Sequence, residues 1–227
     1  MANEAAGGGR WIDVAPERLA GWLESFAQRH GEVSADAGPD PVTFRAADGA
    51  VAQCHVPFPP LADGPPGAAA PGWAQRGEQI AAHARAERTV AVLLVRLGGY
   101  AAGVFTGPAP QLAASKVGTR LVHGRSAAGG TSQHRFARRR EKQATEALGA
   151  AARTAAAVFG PYAGRIDALV LGGDRRAMAV LRADSRLEPY VSLAVERFLT
   201  VPDPRLAVLR STPRLFRAIR IRLTGPD

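Results

Sequence analysis

Residues 128–142 combine glycines, small polar side chains and arginines in a pattern that suits chemistry on RNA. A glycine pair, Gly129 and Gly130, precedes Thr131, Ser132 and the neutral amide of Gln133. Glycines let a backbone bend tightly and lie close to a partner, and arginines bind phosphates. We therefore predict a flexible tip with one uncharged polar side chain, backed by positive charge. Such a tip suits RNA better than a small metabolite.

The amide of Gln133 limits the chemistry of this tip, because an amide does not titrate near neutral pH and is not a general base. Its hydrogen bonds can position a water molecule or a ribose hydroxyl. Catalysis would then depend on geometry and electrostatics. A helix predicted to begin just after it adds backbone N–H donors that can hold a phosphate or an oxyanion. Taken alone, Gln133 also fits an ordinary residue at a helix start.

Positive charge is concentrated around this tip. Eight basic residues and the single acid Glu141 give residues 116–142 a formal charge of +7, of the chain's +9. Such a field attracts a polyanion, and binding through phosphates weakens as salt rises. A solvated basic face without a partner is the alternative. The predicted RNA-binding residues are Lys116, Arg120, Arg125, Arg135, Arg138, Arg139, Arg140 and Lys142.

Other chemistries fit the loop less well. Residues 124–131 match a phosphate loop except that Gly130 stands where such a loop needs lysine. His123 and His134 flank the loop without a carboxylate near in sequence to orient either one. The two serines of the loop lack the glycine context of a hydrolase nucleophile. We therefore expect neither a nucleotide site nor a serine hydrolase.

Metal and cofactor chemistry also lack a signal. Cys54 is the only cysteine, which excludes an internal disulfide and a cysteine-based zinc site. Asp167, Asp174 and Asp184 are scattered, and each fits a turn or a helix cap better than a two-metal site. We predict no metal and no cofactor. The start of the chain has no apolar signal core, and no run is long enough to span a membrane, so we expect a cytoplasmic monomer without a membrane partner.

The composition of the 227 residues divides the chain into four segments. Residues 1–10 are predicted as a disordered tail. Residues 11–56 form a small helix-hairpin module, with an amphipathic helix over 16–29 and a hairpin turn at Asp48-Gly49. Six prolines between residues 57 and 72 indicate a linker, which we extend to residue 77, and a long loop within one domain is the alternative. Residues 78–227 are the predicted main domain.

The main domain opens with a helix near 78–85, followed by an antiparallel meander of three strands, near 89–95, 100–106 and 116–123. The glycine loop follows, and then a helix over 134–159. The predicted buried stripe of this helix is Phe136, Ala144, Leu148, Ala151, Ala155 and Phe159. Strands near 166–171, 198–201 and 217–223 alternate with short helices near 174–183 and 206–210. This order predicts an α/β fold, a mixed β-sheet with flanking helices, plus a small N-terminal α+β extension.

The glycine pair, the glutamine tip, the arginine-rich helix start and the strand sequence LLVRLGGYAAGVF together resemble the catalytic middle domain of eukaryotic and archaeal class I release factors. The similarity covers residues 87–223 and is greatest to the actinobacterial branch of the VLRF family, release-factor-like peptidyl-tRNA hydrolases of ribosome quality control. It implies a ribonuclease H-like fold of translation machinery components. It also implies that Gln133 is the catalytic glutamine, with Gly129 and Gly130 as its glycine turn.

The same resemblance implies an activity and partners: hydrolysis of peptidyl-tRNA on stalled large ribosomal subunits, with the basic helix against ribosomal RNA and the tRNA. Thr131 and Ser132 separate the glycines from the glutamine, as in the VLRF subgroup. The bond cleaved therefore stays open between the peptidyl ester and a phosphodiester of the tRNA acceptor end. A non-catalytic ribosome- or RNA-binding factor, and a nuclease acting on free RNA, are the remaining alternatives. We expect no codon specificity, because too few residues precede Arg88 for a decoding domain.

Overall fold

The computed structural model describes residues 3–4, 8–36, 38, 40–62, 71–96, 99–119 and 132–226, with only the backbone of 3–4 and 132–141. The strands are β1 (Asn3–Glu4), β2 (Arg10–Val14), β3 (Val33–Ala35), β4 (Val42–Ala46), β5 (Val51–His55), β6 (Val90–Arg96), β7 (Gly99–Thr106), β8 (Gln111–Thr119), β9 (Ala168–Gly173), β10 (Ala194–Leu199) and β11 (Ile219–Thr224). The helices are α1 (Leu19–His30), α2 (Trp73–Arg85), α3 (Ser132–Phe159), α4 (Arg175–Arg182), α5 (Glu188–Val191), α6 (Leu206–Arg210) and α7 (Pro213–Phe216).

The chain divides into two compact units, and the division differs from the predicted domain boundaries. The six-stranded unit consists of Met1–Ala86 together with Pro213–Asp227, and the five-stranded unit consists of Glu87–Thr212. Helix α2 and strand β11, both predicted in the main domain, therefore belong to the six-stranded unit. The alternating pattern of β11 predicts a strand with one buried face, but that pattern does not specify which sheet the strand joins.

The six-stranded unit is an antiparallel sheet in the order β1-β2-β11-β5-β4-β3. Its predicted hairpin is confirmed, because β4 pairs with β5 and Gly49 between them has a φ of +90°. Leu19, Leu23 and Phe26 of α1 are buried against the sheet, as the helical spacing predicts. β11 lies between β2 and β5, so it supplies hydrogen bonds to both neighbours.

Part of the predicted disordered tail is paired in the structure. Asn3 and Glu4 pair with Trp11 and Arg10 as β1, and Arg10 begins β2. The disorder predicted for residues 1–10 as a whole stays a prediction. The stretch is rich in glycine and alanine, a composition typical of disorder, but pairing to a strand that is itself held by β11 gives its backbone hydrogen-bond partners.

The five-stranded unit holds a mixed sheet in the order β10-β9-β6-β7-β8. β6, β7 and β8 form the predicted antiparallel meander, while β9 and β10 run parallel to β6. β7 is therefore antiparallel to the other four strands, which is the ribonuclease H-like arrangement. The predicted fold class, a mixed sheet with flanking helices, is confirmed. In the described part of the chain, no helix is both long and apolar enough to cross a membrane.

Among the residues of α3 whose side chains are described, those in its second half pack against this sheet. Ala147, Ala151, Ala155 and Phe159 are buried, and Leu148 is half-buried. Ala144, which we predicted to be buried, is exposed. Among the described side chains of α3, burial begins at Ala147, and Phe136 of the predicted stripe lies outside the residues whose side chains are described. Small alanine side chains let the helix lie close to β7, which it contacts most extensively.

Candidate functional site

The predicted site lies between β8 and the start of α3. Thr119 ends β8, and α3 begins at Ser132, two residues before the predicted start. Gly129, Gly130, Arg120 and Arg125 lie outside the described residues. Their predicted roles therefore stay predictions, and the described elements on either side define where the chain enters and leaves the loop.

Gln133 is the second residue of α3, so its backbone belongs to the first helical turn rather than to the loop before it. The first N–H groups of a helix have no partner within the helix, and they carry the positive end of its dipole. A residue at this position has a ready donor environment for an anion. The predicted RNA-binding residues that share the first part of α3 are Arg135, Arg138, Arg139 and Arg140.

Two predicted RNA-binding side chains are described. Lys116 lies on β8 and Lys142 on α3, and both are exposed. Lys116 is on the edge strand of the five-stranded sheet, three residues before the strand ends. Exposed ammonium groups on the two elements that flank the loop fit the predicted basic surface.

A tyrosine fixes the spacing between these two elements. Tyr100 of β7 lies opposite Gly118 of β8, and a Cβ atom at position 118 would overlap the Tyr100 ring. The hydroxyl of Thr154 on α3 donates to the hydroxyl oxygen of Tyr100, at 3.3 Å. One ring therefore connects β7, the end of β8 and the anchored half of α3. A larger residue at position 118 would have to displace the far end of the Tyr100 ring.

This tyrosine contact is a positioning feature that the sequence prediction missed. Tyr100 and Gly118 stand 18 residues apart, and they meet only because of the register between β7 and β8. The alternating pattern of the two strands predicts that they pair, and knowledge of the register would have shown the contact. Thr154 could not be inferred, because its partner depends on how α3 crosses the sheet.

Three aspartates of this unit, Asp167, Asp174 and Asp184, are each held by hydrogen bonds. The Asp167 carboxylate accepts from the backbone N–H of Thr89 at 2.7 Å. Asp174 caps α4 by accepting from the backbone N–H groups of Arg176 and Ala177, at 2.8 and 3.0 Å. Asp174 therefore has the predicted role of a helix cap, whereas Asp167 connects two distant segments of the chain and is neither in a turn nor a cap.

Asp184 is the third of these aspartates. It accepts from the Arg186 guanidinium at 2.6 and 2.7 Å and from the Arg186 backbone N–H at 3.1 Å. These contacts, led by the side-chain hydrogen bond, lower the pKa of Asp184. No group of three or more His, Cys, Asp or Glu side chains among the described residues has a metal-binding arrangement.

Solved structures with a similar arrangement include an archaeal translation termination factor, aRF1, with a TM-score of 0.43 and 12% identity over 76% of this chain. This chain covers 51% of that factor, so it spans about half its length. The Vms1 mitochondrial localization core gives a TM-score of 0.36 and 12% identity, covering 82% of this chain and 76% of that one. An archaeal protein gives a TM-score of 0.35 and 11% identity, covering 89% of this chain and 62% of that one. These weak likenesses carry no functional argument.

A comparison with curated protein sequences gives no match. A family model described as "Actinobacteria/chloroflexi VLRF1 release factor" matches residues 88–222. The matched range is more than half of the 227 residues. The match begins at Arg88, ends within β11, and contains the loop between β8 and α3. The chain belongs to the actinobacterial and chloroflexi VLRF1 release factor family.

Proposed function

We propose that this protein is a peptidyl-tRNA hydrolase that frees nascent chains from tRNA on stalled large ribosomal subunits. Membership of a release factor family assigns it to translation and implies association with the ribosome. The observation that carries the proposal is the range of the family match, residues 88–222, because it includes every residue of the predicted site. Peptidyl-tRNA and ribosomal RNA are the proposed partners, and the proposed place of action is the cytoplasm, with the protein acting as a monomer.

The way α3 is anchored supports this activity. Burial of the helix begins at Ala147, and the described residues before it, from Lys142, are exposed or half-buried. At about 1.5 Å per residue, a straight helix puts Gln133 about 21 Å along the axis from Ala147. A helix anchored through its second half can present its first turn to a partner. That property suits a group that must reach a bond inside a ribosomal cavity.

In the proposed reaction, the amide of Gln133 orients a water molecule toward the carbonyl carbon of the peptidyl ester. The water oxygen forms a bond to that carbon, and the bond from the carbon to the ribose 3′-oxygen breaks. One proton of the water ends on the 3′-oxygen of the tRNA, and the peptide leaves with a free carboxyl group. N–H groups at the start of α3 stabilise the negative charge that develops on the carbonyl oxygen.

The test is peptide release from peptidyl-tRNA bound to isolated large subunits, comparing the wild-type protein with Gln133→Ala. Removing a positioning amide should lower the release rate by about 100-fold or more, while association with the subunit persists. Gln143→Ala is the matched control, because it removes the same side chain from a half-buried position of the same helix. Release by Gln133→Ala at the wild-type rate would show that the glutamine is not catalytic.

The mass of the released product separates the remaining possibilities. A peptide with a free carboxyl group supports ester hydrolysis. A peptide that still carries nucleotides would mean that a ribose 2′-hydroxyl attacks a phosphodiester of the acceptor end. Binding without any release under all conditions would mean a non-catalytic ribosome-binding factor. Activity on free RNA that a chelator abolishes would favour the nuclease alternative.

The basic start of α3 has its own test. Arg138→Glu combined with Arg139→Glu should weaken association with large subunits and make it less dependent on salt. Release per bound protein should fall less than association does, because these side chains are proposed to hold RNA rather than to act on the ester. Unchanged association would refute the proposed contact between this helix and RNA.

A further inference from the structure

Helix α4 presents three arginines on one side. At about 100° per residue, Arg175, Arg176 and Arg182 fall within a sector of about 120° centred on Ala179. All four residues are exposed. We call these residues the α4 arginine face. The opposite side of the helix is apolar and buried, through Met178 and Leu181.

The α4 arginine face keeps its positive charge, because α4 itself contains no acidic residue. The acids at its two ends have other partners. Asp174 accepts backbone N–H groups as the cap of the helix, and Asp184 pairs with Arg186 beyond the end of the helix. Arg175 also lies over the ring of Phe198, 4.5 Å from its centroid, which holds this guanidinium in place.

The α4 arginine face belongs to a helix that contacts α3. Lys142 and Arg153 of α3 are both exposed and lie within about 20° of each other around the helix, and the exposed acid Glu146 lies on the same side. α3 packs beside α4. The positive charge of Arg153 also contributes to the lowered pKa of Asp184, just past the end of α4, after the larger effect of the Arg186 hydrogen bonds. Arg153 therefore brings one basic side chain of α3 close to the end of α4.

We propose that the α4 arginine face binds the phosphate backbone of structured RNA and is a second RNA contact, separate from the loop and the start of α3. Guanidinium groups match phosphate oxygens in shape and charge. Contacts of this kind fix the orientation of a protein on RNA without reading its sequence. The proposal rests on the proposed function, and it gives the RNA partner a second point of attachment on the same unit.

The experiment compares two triple variants of the full chain that lose equal charge. One carries Arg175→Gln, Arg176→Gln and Arg182→Gln. The control carries Arg18→Gln, Arg29→Gln and Arg214→Gln, which are exposed arginines of the six-stranded unit. Binding to deacylated tRNA, to protein-free ribosomal RNA and to isolated large subunits is measured over a range of salt concentrations. The three arms distinguish tRNA, ribosomal RNA and ribosomal protein as the binding partner.

For the α4 variant we expect affinity to fall about tenfold or more in at least one arm. We also expect the slope of log affinity against log salt to shrink by about one for each phosphate that the protein no longer neutralises. The control should keep the wild-type slope. Equal slopes for both variants would overturn the inference. Weaker association with large subunits, combined with unchanged affinity for both tRNA and protein-free ribosomal RNA, would also overturn it, because the face would then bind a ribosomal protein.

A second pair of variants tests the position of the face on the helix. Ala179→Glu places a negative charge at the centre of the arginines, whereas Val180→Glu adds the same charge at an exposed position outside the sector. Only the first should weaken RNA binding, and similar losses from both would contradict the proposal. Failure of this inference is distinguishable from failure of the proposed function, because Gln133→Ala reports on peptide release whereas the α4 variants report on RNA binding.

Discussion

The buried ring of Phe159 gives the sharpest prediction for stability. Phe159 is the last residue of α3, its side chain is 0% exposed, and its ring meets the ring of Tyr190 edge-on with centroids 5.3 Å apart. Phe159→Ala should lower the free energy of unfolding of the five-stranded unit by about 3–5 kcal/mol, because it leaves a cavity in the core. The aromatic pair accounts for about 0.5–1.5 kcal/mol of this loss. Phe159→Leu keeps most of the volume and should cost less than about 1.5 kcal/mol.

Urea unfolding followed by tyrosine absorbance measures these changes. All 3 tyrosines of the chain lie in the five-stranded unit, while all 3 tryptophans lie in the six-stranded unit. Tyrosine absorbance therefore reports on unfolding of the five-stranded unit, which carries the mutation. Tryptophan emission reports separately on unfolding of the six-stranded unit. Val180→Ala, at a position 59% exposed, is the control and should stay within about 0.5 kcal/mol of wild type. A cost below about 1 kcal/mol for Phe159→Ala would refute the assignment of this ring as the anchor of α3.

Other parts of the structure give three further predictions. Gly173→Ala should greatly reduce the yield of folded protein, since Gly173 has a φ of +102° and a Cβ atom there would overlap a backbone carbonyl of β6. Gly164→Ala, at φ +78° in open space, should cost only about 1–2 kcal/mol. Burial raises the pKa of the Cys54 thiol, so alkylation should be slow in the native protein and rapid in urea; rapid native labelling would contradict that burial. Hydrogen bonds from the Ala50 backbone N–H, which has the larger effect, and from the His30 ring lower the pKa of Asp48. The ionised Asp48 carboxylate therefore stabilises the fold, and this stabilisation should be lost as pH falls through the lowered pKa. Asp48→Asn should therefore show a smaller fall in Tm between pH 7 and pH 3 than wild type, and an equal fall would refute this.

Much of the fold was predictable from the sequence, because the decisive patterns are local. The end of α3 at Phe159 follows from the Gly160-Pro161 pair, which stops a helix. The meander of β6, β7 and β8 follows from apolar runs separated by turns. The assignment of β11 to a sheet was not local, and its alternating residues Ile219 and Ile221 suit either unit.

The catalytic and RNA-binding roles assigned to the candidate site stay predictions, and the contacts that support the site were not foreseen. Lys116 and Lys142 are exposed on the elements predicted to carry them. The exposure of Ala144 was missed, because an apolar stripe shows which side of a helix is apolar but not how far the sheet extends beneath it. The contact of Tyr100 with α3 was missed because it needs both a strand register and a helix crossing. Tertiary geometry of this kind leaves no spacing in the sequence.

The position of β11 reverses the expected order of folding during synthesis. The strand lies between β2 and β5, yet the ribosome makes it after all of the five-stranded unit. The contiguous residues 87–212 have their partners as soon as they emerge, whereas the earlier strands must wait with two open edges for the strand that joins them. The portion translated first is thus completed last, and a chain that stalls before residue 219 leaves those edges exposed.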